Sequence, residues 1–272
     1  MNEIIIKTWS ELQNALFDYE IGLTAPGRYR SPYAYRGLPE NYPKMKTSLM
    51  RIGGPYIELE SSILRNFKKY ADLADINTEN EDSEWLWLAL AQHYGLPTRL
   101  LDWTYSPYVA LHFATADTRK SDQDGVIWCV NYQKAREFLP DKLKFAIHDQ
   151  GFKFTVNSLN KGAVSLKQLE QLDKELGDSF VIFIEPPSLD SRIVNQYALF
   201  SMMSSSSSLL DNWLEKNDHK KNLYTKIIIP SKLKWQIRDH LDQANINERM
   251  LFPGLDGLCQ WLKRYYSSKD KY

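Results

Sequence analysis

The chain has 272 residues, of which 43% are hydrophobic, so it can bury a sizeable core without help from disulfides or metals. Its 34 basic residues balance 34 acidic residues, which gives no support to a dedicated binder of nucleic-acid phosphates. No apolar run approaches the ~20 residues that span a bilayer. The first residues, Met1 to Ile4, lack the basic start and apolar stretch of a secretory signal. We therefore expect a cytoplasmic protein without a membrane partner.

The first part of the chain carries mostly helical patterns. Ser10 followed by Gln13 resembles a capping box and predicts an amphipathic helix over residues 8–20. The next predicted elements are a strand over Tyr33–Gly37, helices over Ile57–Tyr70 and Trp85–His93, a buried strand over Leu100–Thr104, and a helix that begins at Pro107.

Strand patterns dominate the remainder. Predicted strands cover Gly125–Val130, Phe180–Ile184, Tyr197–Phe200 and Thr225–Ile229, and predicted helices cover Ser231–Leu241, with Ser231 as the cap, and Leu255–Leu262. Residues 141–177 show no clear pattern, and the serine run Ser204–Ser208 is typical of a mobile loop. Strands and helices are interspersed without regular alternation. This predicts an α+β fold with a mixed, mainly antiparallel central sheet flanked by helices, and a largely helical insert in the N-terminal third.

Several familiar sites have no sequence support. The chain contains neither a Gly-x-Gly-x-x-Gly fingerprint after a strand nor a P-loop, and its histidines lack the spacing of a zinc motif. We therefore expect no metal and neither of the two common nucleotide-binding loops.

The segment from Gln92 to Pro107 places an unusual number of polar side chains around a predicted buried strand. Buried polar groups need partners, so the segment is either a hydrogen-bonded scaffold or part of a site. In the scaffold interpretation, Arg99 pairs with Asp102, and Thr104 or Ser106 caps the next helix. In the functional interpretation, the same side chains line a cleft. The residues alone leave both open.

Four segments resemble the FRG domain family. They are the triplet Tyr35-Arg36-Gly37, the block Gln92–Ala114, the stretch Arg192–Phe200 and the closing segment Leu251–Leu258. The resemblance runs from about residue 33 to about residue 262. It implies one FRG domain over residues 1–272, in a protein of the kind that serves as a bacterial or phage effector.

The order of motifs also resembles that of ADP-ribosyltransferases, more weakly. Arg36 matches an early arginine, Asp102 and Thr104 fall on the second motif strand, and Gln196 falls where a glutamate is usual. This resemblance implies an ADP-ribosyltransferase-like fold and NAD as a co-substrate, with ADP-ribosyl transfer to a protein or nucleic-acid target or NAD glycohydrolysis as the reaction. Arg36 would then bind phosphate, and Asp102, Thr104 and Gln196 would surround the ribose.

Further candidate ligand-binding residues flank these four: Tyr35, Gly37, His93, Tyr94 and Ser106. His93 is either a helix-end residue favoured by the helix dipole or an acid, base or stacking group. Gln196 cannot supply negative charge, so either Asp102 supplies it, or the chemistry differs, or the domain binds without turnover. The alternative function is a non-catalytic module that recognises a protein or a nucleic-acid end.

Two expectations concern side-chain placement. Arg99 should pair with a carboxylate inside the fold, whereas Arg36, next to Gly37 at a strand end, should reach a cleft. Because side chains alternate along a strand, Gln196 and Ala198 should face that cleft, while Tyr197 and Leu199 should pack in the core.

Overall fold

The computed structural model describes residues 3–17, 23–24, 28–41, 44–71, 83–148, 151–218 and 222–268. Within these ranges the chain forms nine strands: β1 (Glu3–Ile5), β2 (Leu23–Thr24), β3 (Arg28–Tyr29), β4 (Tyr33–Leu38), β5 (Leu101–Thr104), β6 (Gly125–Asn131), β7 (Val181–Ile184), β8 (Ala198–Met203) and β9 (Tyr224–Ile229). The helices are α1 (Trp9–Phe17), α2 (Ser48–Ile52), α3 (Tyr56–Ala71), α4 (Glu84–His93), α5 (Pro107–Thr115), α6 (Tyr132–Ala135), α7 (Asp141–Ala146), α8 (Val156–Gly162), α9 (Leu166–Leu176), α10 (Ser191–Asn195), α11 (Leu210–Asp218), α12 (Lys234–Gln243), α13 (Glu248–Leu251) and α14 (Leu255–Tyr265).

Seven strands form one sheet in the order β1-β9-β6-β4-β5-β8-β7, and β2 and β3 form a separate antiparallel pair. β1 runs parallel to β9, while the other neighbours in the large sheet are antiparallel. The predicted α+β class with a mixed, mainly antiparallel sheet flanked by helices is therefore confirmed. The helices α2, α3 and α4 lie between β4 and β5 in the chain. They correspond to the helical insert predicted for the N-terminal third.

The two faces of the sheet are buried separately. Alternate residues of β6 divide between them: Ile127 and Cys129 pack in the cluster that contains α5 and α12 residues, whereas Val126, Trp128 and Val130 pack in the opposite cluster. A strand buried on both faces lacks polar alternation, which explains the continuous apolar run of β6. None of the described helices combines the length and apolar character needed to span a bilayer.

Helix α5 lies directly on β4 at Gly37. A Cβ atom added to Gly37 would lie 1.8 Å from the carbonyl oxygen of Ala110 and 2.8 Å from the amide nitrogen of Ala114. Because real side chains do not fit into such a gap, the glycine permits the close approach of helix and strand. The glycine of the Tyr-Arg-Gly triplet thus has an architectural role.

The N-terminal elements differ from prediction in two respects. Helix α1 begins at Trp9, and Thr8 Oγ1 accepts a hydrogen bond from the Glu11 amide at 3.2 Å, so Thr8 rather than Ser10 serves as its cap. Residues 18–20 of the predicted helix lie outside the described residues. The strand β1 was not predicted, because three residues are too few to show an alternating pattern.

Three C-terminal segments also differ. Residues 141–177 contain the helices α7, α8 and α9. Ser231 begins a short 3-10 helix without a side-chain cap, and α12 starts only at Lys234. The serine run lies in the turn between β8 and α11, where Ser207 is exposed but Ser204 and Ser206 are buried. Ser204 is fully buried, accepts a hydrogen bond from the Phe180 amide at 2.9 Å, and donates one to Asp173.

Candidate functional site

The large sheet opens between its central strand, β4, and the neighbouring β5. Within the described residues, β4 and β5 share one register pair, Tyr35 with Thr104, whereas β4 pairs with β6 over six residues. A cleft of about 240 Å³ lies at this opening. It is lined by Tyr35, Arg36, Gly37, Gln92, His93, Asp102, Trp103, Thr104, Phe113, Arg192, Ile193, Gln196, Ala198 and Phe200.

Arg36 lies on β4 in the wall of this cleft. Its Nη1 donates a hydrogen bond to the backbone carbonyl of Asp102 across the opening, and its buried Nε has no hydrogen-bond partner among the described residues. Burial lowers the pKa of Arg36, the charge of Asp102 opposes this, and the nearby Arg51 lowers it further. A guanidinium remains charged even so. Arg36 therefore brings a positive charge to the cleft wall and retains one buried donor that no described residue uses.

Asp102 belongs to a short chain of polar side chains at the same opening. Its Oδ1 accepts a hydrogen bond from Gln92 Nε2 at 2.8 Å, and Gln92 Oε1 accepts one from Thr98 Oγ1 at 2.5 Å. Asp102 itself is exposed, and its Oδ2 has no partner among the described residues. One carboxylate oxygen is thus held in place while the other stays available.

Arg99 is buried away from the cleft, as expected. Its Nε donates to Glu60 Oε1 at 2.7 Å, and its Nη2 donates to Glu170 Oε1 at 2.8 Å. Burial lowers the pKa of Arg99, but the hydrogen bonds and charges of Glu60 and Glu170 outweigh this effect and raise it above the usual value. The expected buried pair is confirmed, and the alternative pairing of Arg99 with Asp102 is wrong.

Thr104 ties the end of β5 to Gln196. Its Oγ1 donates to the backbone carbonyl of Gln196 at 2.7 Å and accepts from the Ser106 amide at 3.0 Å. The hydroxyl hydrogen of Thr104 is therefore already used, although the residue lines the cleft. Ser106 caps α5 by accepting from the Val109 amide at 3.4 Å, and it is not part of the cleft wall. The capping role predicted for Ser106 is confirmed.

Gln196 lines the cleft from a turn rather than from a strand. It follows α10, and its Nε2 donates to the carbonyl of Leu251 at 3.0 Å, which leaves Oε1 without a donor among the described residues. Gln196 and Ala198 line the cleft and Leu199 is buried, as expected. The expectation for Tyr197 is wrong: it is 60% exposed, with φ of 48°. The left-handed turn breaks the alternation on which that expectation rested.

His93 ends α4 and lines the cleft, whereas its neighbour does not. His93 Nε2 lies 2.8 Å from Asp190 Oδ2, and the histidine side chain is 9% exposed. Tyr94 is 66% exposed and touches the cleft only indirectly, through an edge contact with the His93 ring at 5.1 Å. Tyr35 contributes to the wall, but its ring is buried and its hydroxyl lies 3.0 Å from Ser31 Oγ.

Arg192 and Asp190 are two of the residues at the cleft that were not selected from the sequence; Gln92 and Phe113 are others. Arg192 lines the cleft and lies 5.1 Å from the centre of the Phe252 ring, and Asp190 holds His93. Arg192 lies in the stretch Arg192–Phe200 that resembles the FRG family, and this resemblance could have identified it as a site residue. Asp190 is a helix cap by sequence pattern, and nothing local indicates a distant histidine as its partner.

Three arginines and one carboxylate determine the charge around the cleft. Arg36 and Arg192 line it and Arg51 lies close by, while Asp102 is the carboxylate in the wall. The described residues contain no cluster of three or more His, Cys, Asp or Glu side chains placed to hold a metal ion. The arrangement therefore suits an anionic ligand that also presents hydroxyl groups, because guanidinium groups bind phosphate and carboxylate or amide oxygens accept from hydroxyls.

Comparison with known families finds a match to part of the chain. The family model described as the FRG domain matches residues 31–123, which include the Tyr-Arg-Gly triplet and the block Gln92–Ala114 but not Gln196. The predicted resemblance to this family is confirmed over these residues, and the segments Arg192–Phe200 and Leu251–Leu258 lie outside the match. No curated protein matches the chain, and no solved structure does.

Proposed function

We propose that the cleft of this chain, in which residues 31–123 match the FRG domain family, binds NAD or a related nucleotide in the manner of an ADP-ribosyltransferase-like domain. The observation that carries this function is Arg36, a guanidinium in the cleft wall with a buried and unpaired Nε. Leaving a buried donor unpaired costs about 1–3 kcal/mol, which an arginine with a purely structural role would be expected to avoid.

The pyrophosphate group of such a nucleotide matches the basic side of the cleft. Guanidinium groups bind phosphate oxygens through paired, charge-assisted hydrogen bonds. Arg36 and Arg192 both line the cleft, and Arg51 is close enough to Arg36 to lower its pKa. A doubly charged pyrophosphate would relieve the repulsion between these cations.

The ribose would meet the acidic side. Asp102 Oδ2 and Gln196 Oε1 are oxygen acceptors in the wall without donors among the described residues. Thr104 places Gln196 through its bond to the Gln196 carbonyl. Because Gln196 is neutral, Asp102 is the residue that supplies negative charge to an oxocarbenium-like centre at the sugar.

The nicotinamide ring would lie against the aromatic part of the wall. Phe113 lines the cleft, and its ring stands edge-on to Phe252 with centroids 6.2 Å apart. Trp103 also lines the cleft, but its indole nitrogen donates to Ser201 Oγ at 2.8 Å within the core. Phe113 is therefore the better stacking partner. The cleft is smaller than the roughly 300–1,000 Å³ typical of whole-ligand pockets, so the adenosine end would extend beyond its rim.

The direct test is the release of nicotinamide from NAD, measured by liquid chromatography. We expect release by the wild type, and about a hundred- to a thousandfold less by Asp102→Asn, since removal of one electrostatic stabiliser costs about 2.7–4 kcal/mol. A protein or nucleic-acid target that becomes labelled would identify transfer rather than hydrolysis. Saturable NAD binding without release would favour the non-catalytic module, and neither binding nor release would refute the nucleotide function.

A further inference from the structure

Asp190 occupies an unusual position between two elements of the cleft. Its Oδ1 accepts from the Ile193 amide at 3.1 Å and so caps α10, the helix that carries Arg192 and that Gln196 follows. Its Oδ2 lies 2.8 Å from His93 Nε2 at the end of α4. A helix cap requires one oxygen, so the second contact is additional to the capping role.

The short distance between these two atoms indicates which ring nitrogen of His93 carries the proton, because a lone pair on Nε2 would be repelled by the carboxylate oxygen. A carboxylate can only accept, so the hydrogen in the neutral imidazole must lie on Nε2. The other nitrogen, Nδ1, then has a free lone pair, and it has no hydrogen-bond partner among the described residues. His93 lines the same cleft as Asp102 and Gln196.

We propose that Asp190 is a positioning residue that fixes His93 in the Nε2-protonated form, so that Nδ1 serves as the general base of the cleft. This role rests on the proposed function. In NAD hydrolysis, a water oxygen bonds to the ribose C1′ and the C1′–nicotinamide bond breaks, with its electron pair remaining on the nicotinamide nitrogen. His93 Nδ1 takes the proton of the water, so that NAD and water give ADP-ribose, nicotinamide and a proton.

The chain offers a substitution that separates this role from capping. Asn is as good a cap as Asp, so Asp190→Asn should keep Oδ1 on the Ile193 amide. The amide nitrogen of Asn would then face His93 Nε2, and as a donor it requires an unprotonated nitrogen there. The imidazole hydrogen must move to Nδ1, which removes the base. A matched control is Asp117→Asn, because Asp117 also caps a short helical turn, through the Arg119 amide at 3.2 Å, and does not line the cleft.

The test combines ¹⁵N NMR of the histidine rings at alkaline pH with NAD binding and nicotinamide release, and the His93 signal is assigned by its loss in His93→Gln. We expect the wild type and Asp117→Asn to hold the hydrogen on Nε2, and Asp190→Asn to hold it on Nδ1. Nicotinamide release by Asp190→Asn should fall about a hundredfold with NAD affinity unchanged, because general-base catalysis contributes about 10²–10⁴-fold.

Each other outcome is decisive. If the wild type carries the His93 hydrogen on Nδ1, or if the hydrogen stays on Nε2 in Asp190→Asn, Asp190 does not determine which ring nitrogen of His93 is protonated. If the hydrogen moves to Nδ1 in Asp190→Asn but nicotinamide release does not fall, His93 is not the base. If the form switches but the wild type neither binds nor cleaves NAD, the nucleotide function fails while the control of His93 by Asp190 stands.

Discussion

Arg36 Nη1 donates a hydrogen bond to the backbone carbonyl of Asp102 across the opening between β4 and β5. The contact spans the gap where the hydrogen-bond ladder between these strands is interrupted, and it uses the backbone of Asp102 rather than its carboxylate. The guanidinium and the carboxylate therefore stay available to a ligand although they belong to neighbouring strands. This relationship explains how one opening in a sheet can present both a cation and an anion to a ligand.

Arg99→Ala should strongly destabilise the fold, because it leaves the buried Glu60 without its partner. Truncation of one member of a buried ion pair costs about 3–5 kcal/mol. Thermal unfolding followed by circular dichroism measures this loss, with the exposed Arg65→Ala as the control. Arg36→Ala should unfold close to the wild type, and equal losses for Arg36→Ala and Arg99→Ala would contradict the assignment of Arg99 to the core and Arg36 to the cleft.

Gly37→Ala should separate α5 from β4. The added methyl group would overlap the Ala110 carbonyl at 1.8 Å, and backbone atoms cannot move aside as a flexible side chain can. We expect a loss of about 1–3 kcal/mol or more in the free energy of unfolding, measured by urea denaturation. At Gly95, where φ is +81° but nothing lies within 4 Å of an added Cβ, alanine should cost only about 1 kcal/mol of backbone strain. A smaller loss at Gly37 than at Gly95 would show that the helix does not touch the strand so closely.

The stability of the fold should depend on pH through His112. Burial and the charge of Arg238 lower the pKa of His112 to about 3, from an ordinary value of 6.5. Between these values the unfolded chain binds a proton that the folded chain excludes, so the free energy of unfolding falls as pH is lowered from 6.5. The slope is about 1.4 kcal/mol per pH unit for one proton.

Urea denaturation at a series of pH values tests this dependence. His112→Gln should flatten the decline between about pH 6 and pH 5, whereas the exposed His148→Gln should leave it unchanged. A slope that is the same in His112→Gln and the wild type would assign the acid sensitivity to other groups.

A charge exchange should reveal whether Asp102 and Gln196 act on the same sugar. In the Asp102→Asn background, Gln196→Glu returns a carboxylate to the cleft, and nicotinamide release should recover by about tenfold or more, which corresponds to ~1.4 kcal/mol of barrier. Asn195→Asp in that background is the matched control, because Asn195 Nδ2 donates to the Met250 carbonyl at 2.7 Å much as Gln196 does to Leu251, yet Asn195 does not line the cleft. If nicotinamide release recovers in neither of these two double variants, or equally in both, Gln196 does not belong to the site.

The sequence predicted the elements with strong local patterns and missed what depends on distant partners. β4, β5 and α5 followed from apolar runs, turn residues and a proline at the first helical turn. The turn at Tyr197 could not be foreseen, since a tyrosine rarely adopts a positive φ. The burial of Ser204 depends on Asp173 and Phe180, which come from other elements. The same is true of the contact between Asp190 and His93.

The most direct measurement of the central claim is a calorimetric titration of the chain with NAD and with ADP-ribose. We expect saturable binding of both ligands by the wild type and by the exposed control Arg65→Ala. Arg36→Ala should bind about 10- to 100-fold more weakly, because a hydrogen bond to a charged group contributes about 1.5–3 kcal/mol. No binding at millimolar ligand, or equal affinity in Arg36→Ala and Arg65→Ala, would contradict the assignment of this cleft to a nucleotide.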